Sequence, residues 1–176
     1  MKGMIKDALI LFAITLIAGL MLGVVNDITK EPIAQQEQKA KNEACQNVFA
    51  AADSFEAQEL ADSAQIEQAL TDAGISGADI DELMAAKDAS GALLGYVITV
   101  TDHEGYGGDI QFSMGITNEG TLNGISLLSI SETAGLGMRA KQDPSFLAQF
   151  NGTKTSEYKV VTDGTGSSSD SSIDAI

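Results

Sequence analysis

The sequence predicts an α+β protein with a single N-terminal transmembrane helix, followed by an extracytoplasmic domain with an antiparallel sheet and flanking helices. Two observations predict this class. Near the start, residues 8–25 carry no charge and form a run long enough to cross a bilayer. Further along, runs rich in β-branched, aromatic and alternating apolar residues are separated by short turn sequences, which is typical of neighbouring antiparallel strands.

The predicted membrane helix, ALILFAITLIAGLMLGVV, covers residues 8–25 and would measure roughly 27 Å at the α-helical rise per residue. Lys2 and Lys6 precede it, so the positive-inside rule predicts a cytoplasmic N-terminus and an extracytoplasmic remainder. We assign residues 1–28 to this anchor. A cleaved signal peptide is the alternative, but the apolar run exceeds a typical signal core and no small-x-small cleavage site follows it.

Residues 29–80 form a predicted helical connector and the start of the domain. Pro32 is well placed at the first turn of a new helix, and apolar residues then recur at roughly helical spacing over 33–52. This pattern predicts an amphipathic helix that begins after the membrane segment, with Cys45 on its surface or its packing face. The next stretch, 53–78, is polar and alanine-rich and predicts a short helix and loops.

The domain proper is assigned to residues 81–176, and its sheet is predicted as a meander. Three of the predicted strands contain β-branched residues, with aromatic residues or apolar alternation in addition, and turn residues separate the strands. The strand at 82–87 is predicted from the turn sequence at 88–91, which would pair it with the next strand, although the local propensity of ELMAAK favours helix. The predicted strands are 82–87, 93–100, 110–117 and 122–130.

After the meander, residues 143–150 predict a short helix with Asp143 as its N-cap and Pro144 at its first position. A last strand is predicted at 158–161. The polar segment 162–172, TDGTGSSSDSS, predicts a flexible loop.

Charge and composition exclude several classes of function. Beyond residue 26 the chain carries eight of its ten Lys/Arg and twenty-four of its twenty-five Asp/Glu residues, a net charge of −16. Such a surface repels phosphate backbones, so nucleic-acid binding is not expected. Cys45 and His103 are each the only residue of their type, so neither a Cys₄ nor a His-based zinc centre is expected. No G-x-S-x-G motif supports a hydrolase.

Two glycine-rich segments carry the candidate site. The first is EGYGGD at 104–109, and the second is SETAGLGMR at 131–139. Glycines allow backbone N–H groups to face a ligand and allow a flat ring to approach without interference from a Cβ. Tyr106, Leu136 and Met138 would supply apolar surface. Both segments also fit ordinary hairpin and crossover turns, and the residues alone favour that interpretation.

The combination of these pieces resembles the FMN-binding domain family. GYGG at 105–108 is followed by strand, turn and strand, then by E-T-x-G-L-G at 132–137 and F-x-x-Q-F at 146–150. This pattern is similar to that of the G subunit of the Rnf electron-transport complex and the C subunit of the Na⁺-translocating NADH:quinone reductase. Residues 19–33, which cover the end of the anchor and the residues that follow it, also resemble the Rnf G subunit. The compact length of this chain fits that subunit better than the C subunit of the quinone reductase.

The resemblance implies an electron-carrier subunit of a membrane-bound, ion-translocating ferredoxin:NAD⁺ oxidoreductase, with no catalytic residues of its own. The implied cofactor is FMN. The implied partners are other membrane subunits of the Rnf complex, with no nucleic acid and no soluble small-molecule substrate. A membrane-tethered binding or scaffold module without a redox group is the alternative. The implied cofactor-binding residues are Tyr106, Gly107, Gly108, Glu132, Thr133, Gly135, Leu136 and Gly137.

Members of this family attach FMN through a phosphoester to a threonine in an S-G-A-T motif. No S-G-A-T occurs in this sequence, although IDAI at 173–176 resembles the segment that precedes it. We expect the attachment threonine to lie beyond Ile176; the alternative is a copy that is not flavinylated in the usual way. Thr165 lacks the Ala-Thr ending and is not expected to be the acceptor. Two roles are open for Arg139, the only arginine: we expect it either to offset the charge of the flavin or its phosphate, or to form a surface ion pair.

Overall fold

The computed structural model describes residues 2–166, 169 and 171–175. The chain divides into two compact units, Met1–Ala40 and Lys41–Ile176. Helices and a five-stranded antiparallel sheet make it an α+β protein, as predicted. In chain order the elements are α1 Lys2–Val48, β1 Ser54–Gln58, α2 Ser63–Asp72, β2 Ala78–Lys87, β3 Leu93–Asp102, β4 Ile110–Thr117, β5 Leu122–Ser129, α3 Arg139–Gln142, α4 Pro144–Ala148, β6 Lys159–Val161 and β7 Ser172–Asp174.

Helix α1 is uninterrupted and contains Pro32 in its interior. The predicted break at this proline, with a new helix beginning there, is wrong. Proline removes one backbone N–H, so only the carbonyl of Ile28 loses its usual partner, and a helix with many turns on both sides continues across that one gap. Within the described part of the chain, α1 is the one helix that is long and apolar enough to cross a membrane.

The sheet is a meander with the order β1-β2-β3-β4-β5, and every neighbouring pair is antiparallel. Strand β4 has the predicted bounds, whereas β2 begins at Ala78, four residues before the predicted start. Strand β1 lies in a stretch for which only a helix and loops were predicted. As an edge strand it pairs with β2 alone and is mostly exposed, so its sequence carries little apolar alternation.

The core of the second unit forms where the last turn of α1 meets one face of the sheet. Cys45, Val48 and Phe49 are buried there against Ala86 and Val97. A Cβ at Gly95 on β3 would lie 2.8 Å from an atom of the Phe49 ring, and a Cβ at Gly115 on β4 would lie 2.9 Å from another. Only glycine therefore leaves room for the ring at these two positions. Cys45 is therefore a core residue, and its burial raises the pKa of its thiol.

Two hydroxyl groups are buried at the centre of the same sheet face. Thr99 on β3 and Ser113 on β4 are register partners, and their side-chain oxygens lie 3.0 Å apart in a mutual hydrogen bond. Both residues are almost fully buried. One of the two hydroxyl groups donates and the other accepts, so each has a partner in a place that water does not reach.

The last part of the chain contains α3, α4 and a parallel pair of short strands, β6 and β7. Helix α4 begins as predicted, with the Asp143 carboxylate accepting a hydrogen bond from Ser145 N at 3.0 Å. The predicted loop at 162–172 includes residues 167, 168 and 170, which lie outside the described residues. Its described end, Ser172, already belongs to β7.

Candidate functional site

The two glycine-rich segments lie at the same end of the sheet. The first connects β3 to β4, whose ends pair as Asp102 with Ile110. The second follows β5, in which Ser129 pairs with Gln111 at the beginning of β4. The meander therefore brings the two segments side by side, although Gly107 in the first and Glu132 in the second are 25 residues apart along the chain.

Glu132 joins the two segments. Its Oε1 atom accepts a hydrogen bond from the backbone N–H of Gly107 at 3.1 Å. A Cβ built at Gly105 would lie 3.1 Å from the same oxygen, and a Cβ at Gly137 would lie 2.7 Å from the Cβ of Glu132. A Cβ at Gly107 would lie 3.0 Å from the carbonyl carbon of Ser131. We call this arrangement of Glu132 between Gly105, Gly107 and Gly137 the loop latch.

The side chains carried outward by the latched segments are apolar and exposed. Tyr106 is 94% exposed and Leu136 is 67% exposed. The backbone of the second segment is a tight turn, in which the carbonyl of Thr133 accepts hydrogen bonds from Leu136 N at 3.1 Å and Met138 N at 3.2 Å. Gly135 supplies a φ of 76° within this turn, a value that favours glycine. The site thus offers an aromatic ring and an aliphatic side chain on a fixed backbone.

His103 lies immediately before the first segment, and two carboxylates contact its imidazole ring. Its Nδ1 is 2.9 Å from Asp109 Oδ1, and its Nε2 is 3.0 Å from Asp79 Oδ2. The hydrogen bond to Asp109 and then the one to Asp79 raise the pKa of His103 to about 9, so the imidazole is a cation at neutral pH. Both ring nitrogens are engaged, and among the described residues no group of His, Cys, Asp and Glu side chains is suited to a metal ion.

A cavity of about 330 Å³ lies beyond the second segment, between the two short helices and the last strand. Arg139, Phe146 and Gln149 are among its lining residues, together with Asp174 and Ala175. Gln149 holds the backbone of Asp174 on both sides: its Oε1 accepts from Asp174 N at 2.6 Å, and its Nε2 donates to Asp174 O at 3.4 Å. We call this space the arginine pocket.

The structure thus brings together some of the predicted site residues but not all in the expected role. Gly107, Glu132 and Gly137 meet in the latch, where the carboxylate is used within the protein. Gly108 and Gly135 face open space. Gln149 was not predicted as a functional residue, although it is the glutamine of the F-x-x-Q-F motif at 146–150, which was part of the family resemblance. Most of the predicted residues are exposed, and only Glu132 and Gly137 are partly buried; the exposed ones are Tyr106, Gly107, Gly108, Thr133, Gly135 and Leu136.

Two known protein families match this chain, one at each end. The RnfG N-terminal region matches residues 1–48, and the FMN-binding domain matches residues 105–176. Both glycine-rich segments and the arginine pocket fall almost wholly within the second match.

Relatives are similar over nearly the whole chain. The G subunit of the Na⁺-translocating ferredoxin:NAD⁺ oxidoreductase complex of Acetobacterium woodii is 31% identical, over 99% of this chain and 82% of that protein. The G subunit of the proton-translocating ferredoxin:NAD⁺ oxidoreductase complex of Clostridium ljungdahlii is 28% identical, over 90% of this chain and 77% of that protein. The crystal structure of Shewanella oneidensis NqrC matches with a TM-score of 0.49 and 20% identity, over 54% of this chain and 46% of that one.

Proposed function

From the premise that this chain belongs to the Rnf G-subunit family, we propose that its domain binds FMN at the two glycine-rich segments and holds it outside the cytoplasm. As a family member the chain is an electron-carrier subunit of an ion-translocating ferredoxin:NAD⁺ oxidoreductase. Bound FMN supplies the electron-transfer chemistry. The chain's own residues bind the flavin, orient it and leave part of its edge accessible to neighbouring carriers.

The observation that carries the site assignment is the loop latch with its exposed apolar side chains. An isoalloxazine ring needs a flat, rigid and largely apolar surface. Tyr106 and Leu136 offer such a surface, and Glu132 fixes the backbone beneath them. In this proposal the cofactor-binding residues divide into two groups. Glu132, Gly107 and Gly137 set the loop geometry. Tyr106, Gly108, Thr133, Gly135 and Leu136 face the ligand.

The finer form of the proposal is covalent attachment of FMN through a phosphoester to a threonine. Residues 1–176 contain no S-G-A-T motif, so the acceptor threonine is not identified within them. The natively expressed protein should give a fluorescent flavin band after denaturing electrophoresis and a mass increment equal to FMN. A non-fluorescent band without that increment, from protein that also fails to bind free FMN, would support the non-redox scaffold instead.

The proposed orientation places the N-terminus in the cytoplasm and the domain outside, because Lys2 and Lys6 precede the apolar run. Residues 1–28 would form the anchor, 29–80 the connector and 81–176 the flavin domain. The test uses a Glu119→Cys variant, since Glu119 is exposed in the turn at the other end of the sheet from the proposed flavin site and the natural Cys45 is buried. A membrane-impermeant maleimide should label this variant in intact cells and leave the parent protein unlabelled. Labelling only after cell lysis would indicate the opposite orientation, with the domain in the cytoplasm.

Neighbouring Rnf subunits are the expected partners, and α1 would meet them within the bilayer. Gly19 and Gly23 form a G-x-x-x-G pair on this helix, and a Cβ at either position meets nothing within 4 Å in the chain alone. Replacing both glycines with leucine should release the subunit from the purified complex. Co-purification unchanged by that replacement would locate the contact elsewhere on the chain.

A further inference from the structure

We infer that the arginine pocket holds the phosphate end of the flavin and that the guanidinium of Arg139 is the group that recognises it. This inference rests on the proposed FMN site and adds to it a separate phosphate subsite. Its ligand class is a phosphate monoester or phosphodiester joined to a flat apolar ring.

Arg139 is suited to this role because no hydrogen bond or ion pair with the described residues occupies its guanidinium. It is the only arginine of the chain. In the region that the structure describes, its guanidinium forms no hydrogen bond or ion pair, whereas Lys41 and Lys87 each pair with a glutamate. A planar guanidinium presents several N–H donors in a geometry that matches phosphate oxygens. The charge of this guanidinium acts on Asp143, whose pKa is lowered mainly by the hydrogen bonds from Ser145 and to a smaller extent by Arg139, but all of its N–H donors are available to a ligand.

The position of Arg139 also matches the shape of the ligand. It lies three residues after the exposed Leu136, and its backbone N–H donates to the Leu136 carbonyl at 2.8 Å within the same turn. One short segment thus presents an apolar side chain first and a cation next. FMN has the same order of groups, an apolar ring at one end and a phosphate at the other.

The backbone of the last strand is fixed against this pocket. Gln149 holds Asp174 through the two hydrogen bonds described above, and Ala175 N donates to Val161 O at 2.8 Å. Gly166 N donates to Asp174 Oδ1 at 3.0 Å. A phosphate subsite needs walls that do not collapse when the ligand leaves, and these bonds supply one wall.

Two carboxylates oppose the phosphate, and they provide a sharp test. Asp143 and Asp174 both line the pocket. Each already accepts a backbone N–H, from Ser145 and Gly166 respectively, which disperses part of its charge. Their remaining negative charge must still repel a phosphate and compete for Arg139. Neutralising Asp143 should therefore strengthen phosphate binding, while neutralising Arg139 weakens it.

The experiment compares FMN with riboflavin, which differs only by the phosphate, on full-length protein prepared without covalent flavin. Binding is followed by quenching of flavin fluorescence. Arg139→Gln should weaken FMN binding about 10-fold, the order of magnitude of one charge-assisted contact, and leave riboflavin binding unchanged. Asp143→Asn, which retains helix-capping ability, should strengthen FMN binding about 2- to 5-fold. Lys141→Gln, on the same short helix, should change neither.

The outcomes separate this inference from the proposed function. Selective loss of FMN affinity in Arg139→Gln, with the opposite change in Asp143→Asn, supports the phosphate subsite. Equal affinity for FMN and riboflavin in the parent protein, or equal weakening of both by Arg139→Gln, would overturn it while leaving the flavin site intact. Binding of neither flavin would refute the flavin site and the subsite together.

Discussion

Replacing Gly107 with alanine is the most direct test of the loop latch. Gly107 has no positive φ, so alanine adds no backbone strain at this position. The new methyl group would instead lie 3.0 Å from the carbonyl carbon of Ser131 and 3.1 Å from the Cα of Glu132, and it would overlap the Ser131 oxygen. All three atoms belong to backbone, which a side-chain rotation cannot relieve.

The expected magnitude follows from these contacts. Restoring an ordinary van der Waals separation requires the two segments to move apart by about 1 Å. That movement would also break the hydrogen bond from Gly107 N to the Glu132 carboxylate. Overpacking costs about 1–3 kcal/mol, and loss of a hydrogen bond to a charged group costs about 1.5–3 kcal/mol. The movement that breaks the hydrogen bond also relieves part of the overpacking, so the two costs do not add fully. We therefore expect a total loss of about 2–4 kcal/mol in the free energy of unfolding.

The assay combines calorimetric unfolding with FMN binding in the full-length protein. Gly107→Ala should lower the unfolding midpoint by about 6–15 °C and weaken FMN binding at least about 10-fold, because both loops move. Gly120→Ala is the matched control: it lies at the opposite end of the sheet, with a φ of 77° and open space around a Cβ. It should cost about 1 kcal/mol of stability and nothing in FMN affinity. A Gly107→Ala protein with parental stability and affinity would refute the latch.

Three further predictions test other features. Gly135→Ala and Gly120→Ala should lose similar stability, about 1 kcal/mol, because both glycines have a φ near 76° and open space, but only Gly135→Ala should weaken FMN binding. Thr99→Val should lower the free energy of chemical unfolding by about 1–3 kcal/mol, because it leaves the buried hydroxyl of Ser113 without its partner. The double variant Thr99→Val/Ser113→Ala should lose less stability than the sum of the losses in the two single variants. The imidazole of His103 should titrate near pH 9 by NMR rather than near pH 6.5. Because folding raises this pKa, the contribution of His103 to the free energy of unfolding should be complete below pH 6.5 and should disappear as the pH rises through about 9. Titration near pH 6.5 would contradict the two carboxylate contacts.

Local patterns predicted most of the sheet correctly. Strand β4 has its predicted bounds because its apolar and polar residues alternate and a turn sequence follows it. The rule for proline failed at Pro32, because a long helix tolerates the loss of one hydrogen bond. Strand β1 escaped prediction because an exposed edge strand is determined by pairing with its neighbour, which short-range periodicity does not contain.

The site was predicted in its location but not in its internal contacts. Glycines at 105–108 and 135–137 marked the two segments, and their proximity follows from the meander. The expected reason for the glycines was space for a ligand. That space is instead filled by the chain itself: by the Gly108 carbonyl oxygen at Gly105, by the Ser131 backbone at Gly107 and by the Glu132 side chain at Gly137. A carboxylate that binds a backbone N–H 25 residues away leaves no periodic signal in the sequence.

The burial of Cys45, Val48 and Phe49 has a practical consequence for preparing the domain in solution. A fragment cut at the end of α1, in order to remove the whole helix, would lose two of these side chains, Cys45 and Val48, from its own core and expose Ala86 and Val97 to water. Each large apolar side chain lost from such a position costs about 1.5–3 kcal/mol, a large share of the stability of one domain. A water-soluble fragment should therefore begin near Lys41, where the second compact unit starts.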